Sequence, residues 1–149
     1  MMNDPKSRTT AAAFCAYLDE LGRDSGAALA RIDTLYDEDV VFTDPIRTLR
    51  GRAAFKAMNA RFMQQMREIR FDVSDVAEDG DNTFVVSRMT VRPRFAGIGP
   101  RMTFDAVTHL KTRGGLVVVH HDYFDIVSGA TSGASALRTA YQSLLRKVT

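Results

Sequence analysis

Apolar residues recur at helical spacing as far as residue 66 and at strand spacing from residue 68 to residue 128. From Thr9, the residues Phe14, Tyr17, Leu18 and Leu21 fall at i, i+3, i+4 and i+7, which predicts a helix after a loose polar tail over residues 1–8. Gly22 to Gly26 breaks that helix, and Asp24 or Ser25 can cap the next. The second helix carries Leu29, Ile32, Leu35 and Tyr36 on one stripe. A short strand, Val40 to Thr43, is stopped by Asp44-Pro45, because proline cannot donate to a ladder. After Gly51, Phe55, Met58, Phe62 and Met66 mark one face of a third helix over Arg52 to Met66.

The remainder reads as a meander of long strands. Ile69 to Val76 alternates strictly, and Glu78 to Asn82 is a turn. Thr83 to Phe95 forms the next strand, with Pro93 marking a bulge or edge. Ala96 to Pro100 turns the chain into Met102–Lys111, and Thr112 to Gly115 turns it again. Leu116 to Ser128 reads as one long strand, rich in valine and aromatic residues. A final helix over residues 135–147 points Leu137, Tyr141, Leu144, Leu145 and Val148 inward. The pattern predicts one α+β domain over residues 1–149, with a core over residues 10–128 and an extra C-terminal helix. Phe14, Leu18, Ile32, Phe55, Phe62, Val118 and Phe124 are expected in its core.

Composition changes this picture little. The chain has 149 residues and a formal net charge of +2, too small to imply nucleic acid as a partner. No apolar run approaches the ~20 residues of a membrane span, and residues 1–8 lack a signal-peptide core. The cytoplasm is therefore the expected location, with no membrane partner. A single cysteine, Cys15, excludes an internal disulfide and any cysteine-rich zinc site. His120 and His121 point to opposite faces of one strand and cannot share a metal ion, so no metal is expected.

The candidate chemistry lies on the last strand. Alternation puts Asp122 on the same face as Val118, His120, Phe124 and Ile126. A carboxylate among apolar neighbours is costly unless it is paired or has a function. Asp122 is thus either a structural acid bound to an arginine such as Arg88 or a group that acts on a ligand. Asp44 is either a turn residue bonding local backbone or a second acid. Arg88, Arg92 and Arg94 share one parity, which makes an anion-seeking wall or a solvated or dimer-facing stripe. Arg47, Arg50 and Arg52 are candidates to ring a pocket entrance.

Phe42-Thr-Asp-Pro45 ending a first strand, with His120-His-Asp-Tyr-Phe-Asp125 in the last, resembles the NTF2-like superfamily over residues 10–128. Within it the chain resembles SnoaL-like proteins, limonene-epoxide hydrolases and ketosteroid isomerases. The resemblance implies a strongly curved, mainly antiparallel sheet wrapped around the N-terminal helices and enclosing one apolar pocket. It also implies a homodimer through the outer face of the sheet. From the isomerases it implies Asp44 as proton-moving carboxylate and Tyr17 as oxyanion donor, with Asp105 the candidate second donor. From the epoxide hydrolases it implies Asp122 as catalytic aspartate and Arg88 as its arginine, although Thr90 stands where their second aspartate should be. From the cyclases it implies His109 as a partner of Asp122.

These residues imply a cofactor-independent acid–base enzyme, of isomerase, cyclase or hydrolase type, on a small apolar cyclic substrate. A non-catalytic binder of a hydrophobic metabolite and a dimeric interaction module are the alternatives. Two carboxylates facing one pocket cannot both ionise cheaply. An arginine beside Asp122 would keep that acid charged and leave Asp44 to take up a proton.

Overall fold

A computed structural model describes residues 5–94 and 100–147. The helices α1 (Pro5–Arg23) and α2 (Ser25–Leu35) lead into strands β1 (Tyr36–Thr43) and β2 (Thr48–Arg50). Helix α3 (Arg52–Gln65) is followed by β3 (Met66–Asp79), β4 (Asn82–Pro93), β5 (Met102–Arg113) and β6 (Leu116–Phe124). Two helices, α4 (Ile126–Thr131) and α5 (Ser135–Arg146), end the described chain. The strands form one curved, open sheet in the order β2-β1-β6-β5-β4-β3. Every neighbouring pair is antiparallel except β1 and β6, which run parallel. The predicted α+β architecture is therefore the observed one.

The first three helices fill the hollow of the sheet. Phe14, Ile32, Tyr36, Phe55, Val85 and Leu110 are fully buried together. The ring of Phe55 lies 4.7 Å from that of Tyr36 and 5.0 Å from that of Phe42. Burying each such side chain contributes about 1.5–3 kcal/mol relative to leaving it exposed. Asp24 is the cap of α2, accepting from the Ala27 N–H at 3.0 Å. Where α1 meets β3, a Cβ on Gly22 would lie 2.2 Å from the Ile69 carbonyl oxygen. Only glycine allows the helix so close to that strand.

The structure corrects several expectations. Helix α1 begins at Pro5 rather than Thr9, since proline is tolerated in a first turn. The long last strand stops at Phe124, where the Asp125 carboxylate accepts from the Ser128 N–H at 2.9 Å and starts α4. Ile126 is consequently helical and does not share a strand face with Asp122. The short strand β2 has too few residues to show a period. A bulge in β6 pairs Thr112 with Val117 but Lys111 with Val119, leaving Val118 as the extra residue. This reverses the alternation, so Val117 is fully buried although its parity with Tyr123 points outward, and Val118 is only half-buried.

Phe62 and Phe124 are also half-buried, because both border an internal cavity rather than solid core. On α5, Leu137, Leu144 and Leu145 are exposed and Tyr141 half-buried, so this helix does not turn that face into the core. Val148 and the expected turn at residues 96–99 lie outside the described residues. No helix among the described residues is long and apolar enough to cross a membrane.

Candidate active site

Between the helices and the inner face of the sheet lies a cavity of about 320 Å³. Its wall is largely apolar, built from residues such as Phe14, Phe55, Met58, Met89 and Phe104. A space of this size suits a small ligand. Two groups of polar side chains interrupt it.

The first group is centred on Asp122. Strand β6 carries His120 and Asp122 inward, and the β5 register sets Thr108 directly opposite Asp122. Thr108 Oγ1 donates to Asp122 Oδ1 at 2.5 Å, and His120 Nε2 lies 3.0 Å from the same oxygen. A carboxylate can only accept, so His120 Nε2 carries the hydrogen. His120 Nδ1 lies 2.9 Å from the Tyr36 hydroxyl, which donates to a neutral ring and accepts from a charged one. The imidazole is held on three sides by the rings of Phe14, Phe42 and Phe55, at 5.5, 5.0 and 5.4 Å. Both bonds reach Oδ1, while Oδ2 has no hydrogen-bond partner among the described residues, and Asp122 is part of the cavity lining.

Burial pushes the Asp122 carboxyl up. The charge of His120 and the hydrogen bonds from His120 and Thr108 outweigh it and hold the carboxyl below its ordinary value. Asp122 is thus a carboxylate kept ionised inside an apolar space.

The second group faces it from the helices. Tyr17 on α1 donates to Asn59 Oδ1 at 2.7 Å, and Asn59 Nδ2 on α3 donates to the Phe55 carbonyl at 2.9 Å. One Asn59 N–H therefore remains for a ligand. Burial, with the charge of Asp122 adding to it, pushes the Tyr17 phenol well above its usual range, so it stays a neutral donor.

The structure brings Tyr17, Asp44 and Asp122 to one cavity. It does not bring Arg88 or His109 there. Arg88 is on the outer face of β4, donating through Nε to Asp105 at 2.8 Å, because Ser87 and Met89 take the inward positions. Asp105 is outside with it, and Ala106 lines the cavity instead. His109 is likewise outside, stacked on Phe84 at 4.5 Å and bonded to Asn82 Oδ1 at 2.9 Å. Asp44 Oδ1 accepts from the backbone N–H groups of Ile46 and Arg47, at 2.7 and 2.9 Å, as a turn residue does.

The partner of Asp122 is therefore His120, not Arg88 or His109. Its signal in the sequence is the shared parity of residues two apart. Tyr36, Asn59 and Thr108 had no such signal, since each reaches the site through packing between distant elements. Among the described residues, no group of three or more His, Cys, Asp and Glu side chains is placed to hold a metal ion.

Several solved structures share this fold. A candidate SnoaL-like polyketide cyclase from Jannaschia sp. superposes with a TM-score of 0.75 at 17% identity, over 91% of this chain and 98% of that one. An LEH-like epoxide hydrolase from M. tuberculosis gives 0.72 at 17% identity, over 91% and 99%. A protein of ketosteroid isomerase-like fold from Catenulispora acidiphila, bound to trimethylamine, gives 0.68 at 19% identity, over 83% and 92%. At these identities the likeness is one of fold. No curated protein sequence matches the chain significantly. Residues 8–120 match the SnoaL-like domain, and the chain belongs to that family.

Proposed function

We propose that this protein is an acid–base enzyme that moves a proton on a small, largely apolar cyclic molecule. The observation that supports it is the asymmetry of Asp122. One carboxylate oxygen is clamped by Thr108 and His120, and the other is free at an apolar cavity wall. In this reading Oδ2 removes a proton from a carbon next to a substrate carbonyl. The electron pair of the broken C–H bond forms a double bond to the carbonyl carbon, and the carbonyl π pair moves onto its oxygen, where negative charge develops. The free Asn59 N–H, beside the neutral Tyr17 hydroxyl, receives that oxygen. The protonated Asp122 then returns the proton to the same or another carbon, which covers exchange and isomerisation. His120, held by Tyr36, keeps Asp122 ionised between turnovers. Asp44, with one oxygen bound to two backbone N–H groups, holds the cavity rim.

Exchange of the α-hydrogens of 2-tetralone in deuterium oxide tests this step directly. The wild-type protein should accelerate exchange and Asp122→Asn should not. A wild type that binds the ketone without accelerating exchange would favour a binding protein, which an ionised acid in an apolar pocket also suits.

We also propose a homodimer through the outer face of the sheet. Val86, Val107 and Tyr123 are exposed there and lie side by side across β4, β5 and β6. The ion pairs Arg88–Asp105 and Arg70–Asp72 beside them carry both signs, so a two-fold axis can match the face to itself. Sedimentation equilibrium showing one chain per particle at micromolar concentration would refute it.

A further inference from the structure

The mouth of the cavity has a chemistry that the proton-transfer step does not use. The cavity-lining residues that remain exposed come from two places: Ile46 and Arg47 after β1, and Arg61 and Gln65 near the end of α3. They mark the opening. Between Pro45 and Arg67 the chain has six basic residues, Arg47, Arg50, Arg52, Lys56, Arg61 and Arg67, and no acidic residue at all. Two of these are spoken for by acids elsewhere: Arg52 by Glu38 and Lys56 by Asp33. Arg47 has only a loose contact, its Nε 3.6 Å from Asp44 Oδ2. Arg61 has no ion-pair partner among the described residues.

Charge at the opening is therefore unbalanced. Asp44 offsets one guanidinium, and the second is left over on a wall that is otherwise apolar. Asp122 is bound by His120 and Thr108, and no ion pair joins it to Arg61. A guanidinium at the edge of a low-dielectric space is an attractive partner for an anionic oxygen group, and its planar fork binds such a group through two parallel hydrogen bonds.

We propose that the ligand of this cavity carries an anionic oxygen group, of the carboxylate or sulfonate kind, which Arg47 and Arg61 hold at the mouth while the apolar ring body enters. This rests on the reading of the cavity as the substrate site and adds the class of substrate. The anionic arm fixes which end of the ring body reaches Asp122. It also keeps the negative charge of the ligand away from the ionised acid within.

A matched pair of fluorescent probes tests it: 8-anilino-1-naphthalenesulfonate and its neutral counterpart, N-phenyl-1-naphthylamine. A purely apolar cavity would prefer the neutral probe. Here the sulfonate should bind about tenfold more tightly, with an affinity that falls as salt is raised. Arg61→Gln and Arg47→Gln should each weaken the sulfonate by about fivefold to tenfold and leave the neutral probe unchanged. Asp122→Asn should keep the preference for the anion, which separates this proposal from the proton-transfer reading.

Ala106→Leu, which narrows the cavity from its wall, should weaken both probes and so place them inside. Loss of sulfonate binding in the arginine variants with the neutral probe intact serves the same purpose should that variant not fold. Equal or tighter binding of the neutral probe, binding of neither, or arginine variants that bind the sulfonate like the wild type would overturn the proposal.

Discussion

His120 Nε2 lies 3.0 Å from Asp122 Oδ1, two residues further along the same strand, and the imidazole is almost wholly enclosed while the carboxylate faces the cavity. A hydrogen-bonding imidazole behind an acid and an apolar space in front of it set the proton affinity of that acid by opposed effects.

Removing His120 should therefore move Asp122 in one direction. The folded carboxyl now sits below its ordinary value of 3.8, so its contribution to stability is complete above that pH and is lost as pH falls through the lower folded value. In His120→Leu the upward push of burial is less opposed. The acid limb of the proton-exchange rate should shift to higher pH, while the share of the acid-side stability loss that Asp122 contributes should shrink. Carbon-detected NMR of the Asp122 carboxyl gives the shift directly, and an unchanged titration would remove His120 from this role.

Arg88→Ala should leave the titration of Asp122 as it is in the wild type. The arginine is exposed on the outer face of the sheet and serves Asp105, whose carboxyl its hydrogen bond holds below the usual range. A displaced titration of Asp122 would mean that Arg88 acts through the sheet.

Gly129→Ala tests the part of the cavity wall made by Phe104. A Cβ there would lie 1.9 Å from Cδ1 of Phe104, whose ring packs edge-on against Phe124 at 5.5 Å. The Phe104 ring must move toward the cavity or α4 must lift from β5. Either change should cost about 1–3 kcal/mol in chemical denaturation. The neutral naphthylamine should also bind more weakly, whereas an exposed helix position would show neither effect.

High pH should unfold the protein through its tyrosines. Burial pushes Tyr17 and Tyr36 well above the ordinary 10.0, with the charge of Asp122 adding to both. The unfolded chain ionises near that value while the folded one does not, so stability is intact below it and declines as pH rises toward the folded values. Thermal midpoints recorded from about pH 9 to 11 should fall steeply, and less steeply in Tyr17→Phe. Parallel slopes for the two proteins would contradict the buried, neutral phenol.

The long periodic elements of this fold are legible in the sequence because burial on one face repeats over many residues. The helix stripes of Phe14 to Leu21 and Leu29 to Leu35, and the alternation from Ile69 onward, are of this kind. What alternation leaves open is which face of a strand looks inward. Arg88 and His109 sit at sensible distances along the chain, yet Ser87, Met89 and Thr108 occupy the inner positions beside them. One inserted residue, Val118, is enough to reverse the parity of Val117. The acid at Asp122 is legible because a carboxylate interrupts an apolar face. Tyr36 and Asn59 are not, because nothing local distinguishes a site hydroxyl or amide from one that merely satisfies the core. The apolar stripe of α5 is equally visible in the sequence, but a stripe does not say which surface covers it.

The parallel pairing of β1 with β6 sets Phe42 beside His120 and Thr43 beside His121, joining the first strand of the chain to the last. The cavity can acquire Asp122 only after the chain has been made as far as β6. A nascent chain still lacking β6 has its three leading helices and β1, but no neighbour on the far side of that strand. Folding is therefore governed by a contact of large sequence separation, which makes it slow compared with a helical bundle of similar size. Sheet closure and assembly of the His120–Asp122 pair become one late event, so a chain that stops short of β6 loses both together.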